Sequence, residues 1–319
     1  MRDDDDPDSR GPRPNTLLLQ ILAFAAIYVI WGSTYLAIRV GVRSLPPFLM
    51  AGCRFVTAGS ILYAILRARG VSAPTRAEWG RGALAGLLML TAGNGLVTWA
   101  ETRIESSLAA LLIAGVPVYV ALLDWLRPGG VAPERRVWIG ISLGGIGMAL
   151  LVMRGGASGH ESSGLAVAAL LLSGLSWAAG SLYSRYGAMN PNPLMAAAQQ
   201  MIAGGSAQLL LAVALGEPER MSLATLSGPG IAAFGYLTLI GSLVAFSAFG
   251  WLVKTSTPAR LSTTAYVNPV VAVILGWALL GETLAPRALA GAALIVCSVA
   301  VMTLRLPFRR PAEARSRAG

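Results

Sequence analysis

Along this 319-residue chain, long apolar runs are separated by short polar connections. A helix needs about 18 or more mostly apolar residues to cross a bilayer core of roughly 30 Å. Ten runs meet that length: Leu17 to Ile38, Phe48 to Leu66, Gly80 to Trp99, Ser106 to Leu126, Val137 to Met153, Gly164 to Tyr183, Leu194 to Leu215, Gly230 to Leu252, Leu261 to Leu280 and Ala288 to Leu304. The pattern predicts an all-α polytopic membrane protein with ten transmembrane helices.

The runs repeat. WGSTYLAIRVG from Trp31 leads to Pro46 and Pro47, and WAAGSLYSRYG from Trp177 leads to Asn192 and Pro193. Trp31 and Trp177, Arg39 and Arg185, Gly41 and Gly187, and Pro47 and Pro193 are all separated by 146 positions. RVWIGISLGGIGMALLVMR from Arg136 returns as RALAGAALIVCSVAVMTLR from Arg287, at an offset of 151. An odd number of spans per half makes the second half enter the membrane from the opposite face, so the expected architecture is two inverted five-helix repeats. The expected domains are residues 17–153 and 164–304, preceded by a disordered cytoplasmic tail over 1–16 and followed by a basic cytoplasmic tail over 305–319. Many duplicated membrane folds of this kind hold a substrate site near the bilayer midplane, which points to a transporter.

Composition agrees with a membrane protein: 55% apolar and 13% charged, where a soluble domain carries roughly 25% charged residues. The net charge of +10 raises the question of nucleic acid, but the basic residues are spread over short loops rather than gathered on one face. Arg54 apart, eighteen Lys and Arg residues fall on the side of the N terminus and six on the other. Positive charge marks the cytoplasmic side, so both termini are expected inside. The first run is too long for a signal-peptide core, and no cleavage is expected. Cys53 and Cys297 lie inside spans and imply neither a disulfide framework nor a metal site.

Ionisable and amide side chains inside spans are the candidate chemistry, because burying them in a membrane is costly. Arg54 lies about 10 Å into the second span at 1.5 Å per residue; it reads as a group facing a substrate carboxylate, or as one that snorkels or pairs with a helix end. Asn94, between two glycines of the third span, and Asn268 of the ninth are candidate substrate contacts or interhelical clamps. Trp31, Tyr35, Trp177, Tyr183 and Tyr266 offer aromatic surface with polar handles, either for a solute or for packing. Gln200 occupies the repeat position of Arg54 and, with Gln199, offers polar contacts from the seventh span. Pro117 and Pro269, at equivalent places in AGVPVYV and AYVNPVV, are candidate gating kinks, since each removes a helical hydrogen bond. Glu282 and Asp124, at span ends, are the candidates for proton coupling; solvation or salt bridging is the competing reading. Gly82, Gly86, Gly140, Gly144 and Gly147 read as close helix packing.

There is no GxxxxGK[ST] phosphate loop or HExxH in the chain, and its one His, His160, lies in a loop. No enzyme, cofactor or nucleic-acid partner is expected; the expected partners are a small-molecule substrate and the lipid bilayer, and the sequence sets no oligomeric state.

The stretches IWGSTYLAIRVG, AGCRF, GNGLVTWAE, SSLAALLIAGVP, LSWAAGSLYSR, YLTLIGSLVAFSAF and AYVNPVVAVILGWALLGETL resemble, in order and spacing, the EamA family of the drug/metabolite transporter superfamily, in particular its inner-membrane exporters. The resemblance implies a bacterial inner-membrane protein with a central cavity. It also implies export of amino acids, related metabolites or drugs from the cytoplasm. The family often keeps a Glu after both the fourth and ninth helices. Glu282 fits, but Gly130 stands at the matching position of the first half and Glu134 is displaced, which argues for a structural role of Glu282. The resulting expectation is a secondary transporter working by alternating access, with proton antiport and uniport both compatible. The alternative is a non-transporting membrane protein such as a lipid scramblase or a scaffold.

Overall fold

The computed structural model describes residues 14–130, 132–152, 162–222, 226–256, 261, 264–282 and 286–303. The tails expected over 1–16 and 305–319 and the loop with His160 fall outside the described residues, except that the first helix begins at Pro14. Among the described residues the chain is helical throughout, with no strand. The helices are α1 (Pro14–Gly41), α2 (Pro47–Ala68), α3 (Arg76–Ala100), α4 (Ser106–Leu126), α5 (Arg135–Val152), α6 (Ser162–Tyr186), α7 (Pro193–Ala214), the single turn α8 (Glu217–Arg220), α9 (Gly228–Thr255), α10 (Thr264–Leu280) and α11 (Pro286–Thr303). By length and composition, six of these are apolar enough to cross a membrane: α1, α2, α3, α4, α6 and α9. Helix α7 is as long as α2 but carries Gln199, Gln200 and Gln208, all buried within the protein.

Local sequence explains where helices start. Thr75 caps α3 with a reciprocal pair: its hydroxyl accepts from the Glu78 N–H at 3.2 Å, and the Glu78 carboxylate accepts from the Thr75 N–H at 2.7 Å. The Asn192 side chain accepts from the N–H groups of Leu194 and Met195 just before α7, whose first residue is Pro193. Helix α4 breaks at Ala114–Gly115, between Ser106–Ile113 and Val116–Leu126. The cause is Pro117: its ring clashes with the carbonyl four residues earlier, that of Ile113, and it has no N–H to donate there. The kink expected at Pro117 therefore falls just before it, whereas Pro269 is carried inside α10.

Two helix starts are served from far along the chain. Gly216 and Gly281 both take left-handed conformations, φ 66° and 68°, open to glycine at little cost, and each delivers the next residue, a glutamate, to another helix. Glu217 accepts from the N–H groups of Leu49 at 2.8 Å and Phe48 at 3.4 Å, at the start of α2. Glu282 accepts from the N–H and hydroxyl of Ser106, at 3.0 and 2.8 Å, and from those of Ser107, at 3.0 and 2.5 Å, at the start of α4. A carboxylate there meets both the unsatisfied N–H groups and the positive end of the helix dipole. Burial alone would raise the Glu282 carboxyl, yet these hydrogen bonds hold it below the usual carboxylate range.

Helices α2 and α7 cross closely. A Cβ on Gly205 would stand 2.8 Å from the Val56 nitrogen and 2.9 Å from the Phe55 Cβ, and one on Gly59 2.9 Å from the Ile202 nitrogen. Gly86 of α3 lies against the Gln200 carbonyl, Gly82 against Gln199, and Gly147 of α5 against Gly291 of α11. Small residues let backbones approach where lipid supplies no hydrophobic drive between helices. Around this centre α5 packs on α11, α1 on α9 and α10, and α6 on α3 and α4.

Helices α3 and α9 each contain an eight-residue π segment, Leu87–Asn94 and Leu237–Val244. In a π segment carbonyls pair with the N–H five residues on rather than four, and in α3 side chains of neighbouring helices also reach three of them. Ser176 donates to the Leu88 carbonyl at 2.8 Å, Gln208 to that of Leu90 at 2.7 Å and Ser173 to that of Gly93 at 2.7 Å.

Two substitutions test these contacts by unfolding in detergent. Gly205→Leu should destabilise by at least about 1–3 kcal/mol through overpacking, whereas Gly235→Ala, which meets open space, should not. Glu282→Ala should cost about 2–3 kcal/mol by leaving the first turn of α4 uncapped, and Glu282→Gln less.

Candidate functional site

Helices α1, α2, α3, α4, α6, α9 and α10 enclose a cavity of about 280 Å³. One wall is aromatic. Trp31 meets Trp177 edge to face, with centroids 5.7 Å apart and planes at 86°, and both rings abut Phe249, at 5.0 and 6.0 Å. Phe246 completes the group, 6.5 Å from Trp177. These arrangements suit the ring quadrupoles. The Trp31 indole N–H also points to the Gly241 carbonyl in the π segment of α9, at 3.4 Å.

The opposite character comes from α2 and the π segment of α3. Arg54 is only 3% exposed, yet it lines the cavity. One of its terminal nitrogens donates to Asn94 Oδ1 at 3.2 Å, and the guanidinium lies 4.2 Å from the Phe55 ring centroid. Its Nε and other terminal nitrogen have no hydrogen-bond partner. Asn94, the last residue of the π segment, also accepts from the Thr98 hydroxyl, through its carbonyl at 3.0 Å and its side chain at 3.3 Å. Buried donors without acceptors are costly, and two of the Arg54 guanidinium nitrogens are in that state. Arg185 lines the cavity as well, while the one acid in its lining, Asp124, is bonded to Arg127 at 2.6 Å.

Of the residues singled out in the sequence, Trp31, Tyr35, Arg54, Asn94, Trp177 and Asn268 line this cavity, together with Asp124, Pro117 and Pro269. Asn268 Oδ1 has no partner among the described residues. Three others lie elsewhere. Tyr183 packs on the cluster of Ala85, Met189 and Ala196. Gln200 is turned away from the cavity, donating to the Ser184 hydroxyl at 3.4 Å, because its own backbone is pressed against Gly86. Glu282 is buried, makes no salt bridge among the described residues, and caps α4. The side chain of Tyr266 lies outside the described residues. Sequence reasoning missed Phe246, Phe249, Arg185 and Ser173; the spacing of the two phenylalanines, three apart on one helix face, is the signal that could have found them.

Comparison with known proteins identifies the family. The model of the EamA-like transporter family matches residues 18–153 and again 164–304. The chain is 40% identical over 283 residues to the uncharacterized inner membrane transporter YedA of Escherichia coli (strain K12), covering 88% of this chain and 90% of that one. It is 29% identical to a probable terminal-alkyne amino-acid exporter of Streptantibioticus cattleyicolor, covering 91% and 95%. A solved crystal structure aligns with a TM-score of 0.65 at 23% identity, covering 89% of this chain and 96% of that one, a likeness that speaks for the fold alone. With both halves matched and a relative this similar along nearly its whole length, the chain belongs to the EamA-like transporter family and is a multi-pass membrane transporter.

Proposed function

We propose that the chain is a secondary transporter of the inner membrane that exports small amphipathic metabolites, amino acids or related compounds, or drugs, by alternating access. The observation that carries this reading is the cavity's split character, with the Trp31–Trp177–Phe249 wall for an apolar body and Arg54, with two free donors, for a carboxylate. The similarity to an amino-acid exporter supports the same solute class.

The reading includes ten spanning helices in two inverted five-helix repeats, over 17–153 and 164–304, with both termini in the cytoplasm. Two features support the repeat. The π segments begin at Leu87 and Leu237, 150 positions apart, in helices that hold the same rank in each half. Helix contacts also recur in pairs: α3 and α4 on α6 are matched by α9 and α10 on α1, while α2 on α7 and α5 on α11 match themselves. The excess of Lys and Arg in loops on one side supports the orientation.

Counterflow of labelled amphipathic amino acids into liposomes holding the purified protein tests the reading. Saturable exchange is expected. Hydrogen bonds to a charged group are worth about 1.5–3 kcal/mol, so Arg54→Ala should weaken exchange of a carboxylate solute by roughly ten- to a hundredfold and leave a related amine little changed. Unchanged carboxylate exchange in Arg54→Ala would remove the anion role. Absence of exchange for every solute, with lipid flipping between leaflets, would favour a scramblase instead.

A further inference from the structure

Glu101 follows the last residue of α3 and is fully buried, at 0% exposure. Neither oxygen of its carboxyl has a hydrogen-bond partner, and among the described residues no cation forms an ion pair with it. Arg39 is the nearest candidate, but its guanidinium donates to the backbone carbonyl of Glu101 rather than to the side chain. Glu282, a second acid close by, is satisfied four times over. An ionised carboxylate in such a place would be desolvated with nothing to replace its water, a cost that proteins avoid by keeping the group neutral.

Its position connects it to the cavity. Asn94, Thr98 and Glu101 are spaced four and three residues apart, so they form one stripe along α3. The Thr98 hydroxyl is bonded to Asn94, and Asn94 to Arg54. An acid without an ion pair thus sits about two turns along α3 from Asn94, the residue that holds a cation without an anion. The groups facing Glu101 are Tyr35 and Arg39 from α1, Arg54 from α2, Glu282 from the turn after α10, and, close by, Glu105 in the turn after α3. Among the described residues α6, which also packs on the end of α3, sets no charge against it. Burial pushes the Glu101 carboxyl well above the usual carboxylate range, with Arg39 and Arg54 opposing and Glu282 reinforcing.

We propose that Glu101 is a proton-binding site of the transporter, linked to occupancy of Arg54 by an anion. The inference rests on the reading of Arg54 as the anion site. With its proton in place Glu101 is neutral, and Arg54 is free for a carboxylate of the solute. Once the proton leaves for water, the Glu101 carboxylate competes for the same guanidinium and repels the incoming anion. By reciprocity, a bound anion must hold the proton on Glu101 more tightly. A carboxylate solute would then be bound together with a proton, and the pair adds no net charge to the site.

Infrared spectroscopy of the full chain in lipid, titrated with pH, tests the proton site. The carbonyl stretch of a protonated carboxyl should be present at neutral pH, shift on carboxyl-13C labelling of glutamate, vanish in Glu101→Gln and remain in Glu282→Gln. A spectrum of the wild type without that band at neutral pH, or a band that survives Glu101→Gln, overturns the proposal. Should Glu101→Gln not fold, the isotope shift in the wild type decides whether a glutamate holds the proton. Benzoate, with an aromatic body and one carboxylate, tests the linkage. Saturating benzoate should move the band's midpoint to higher pH in the wild type but not in Arg54→Ala. Above that midpoint, benzoate affinity should fall by about tenfold per pH unit in the wild type and stay flat in Glu101→Gln. A midpoint that bound benzoate does not move overturns the linkage. If benzoate fails to bind at all, the anion reading of Arg54 fails and the linkage with it, while the band still decides the proton site. The raised carboxyl also fixes the sign of a stability test. The folded state holds more protons than the unfolded one between the ordinary glutamate range and the raised value, so stability should decline as pH rises through that window, and the decline should be absent in Glu101→Gln.

Discussion

Every backbone N–H and carbonyl inside this protein needs a partner, because the surrounding lipid offers none, and the helices cannot meet that need alone. The starts of α2 and α4 are buried, and carbonyls of the π segment in α3 take donors from neighbouring helices. Glutamates and hydroxyl or amide side chains from distant helices fill these needs, as Glu217, Glu282, Ser173, Ser176 and Gln208 do. These polar contacts set the register in which α2 meets α7 and α3 meets α6. The glycine crossings then close the distance, and the cavity is the space left between helices so fixed.

The distribution of side chains follows from the same constraint. Leu17, Leu18, Leu210, Val213, Ile274 and Trp277 face outward, while Gln199, Gln208, Glu101, Glu217 and Ser298 are inside. Polarity therefore rises toward the protein's centre, the reverse of a soluble domain. Helix α7, the most enclosed by neighbours, is apolar only in part for this reason.

How much could be read from the chain depends on the range of each interaction. Apolar run length and repeat spacing are local or periodic, so the helical elements, the close packing at Gly82, Gly86 and Gly147, and the polar intramembrane residues Arg54 and Asn94 are visible in the sequence. The partners of Glu282 lie more than 170 positions away, and a glutamate after an apolar run looks the same whether it meets water or a helix start. The π segments have no local signature; Leu87–Asn94 reads as ordinary helix. Repeat equivalence also transfers backbone position and not chemistry. Gln200 matches Arg54 in the repeat, but the crossing at Gly86 turns it from the cavity.

The cap at Ser106 gives the cavity wall a mechanical character. Helix α10 ends in the Gly281–Glu282 turn, and that glutamate grips the first turn of α4, so the two rods are clamped to one another at one end. Farther along, α4 is broken at Ala114–Gly115, while α10 runs on through Pro269 with one helical hydrogen bond fewer, and the residues around both points border the cavity. Rods fixed at the end and jointed along their length cannot slide past one another. Bending near the break in α4 and near Pro269 is the freedom such rods keep.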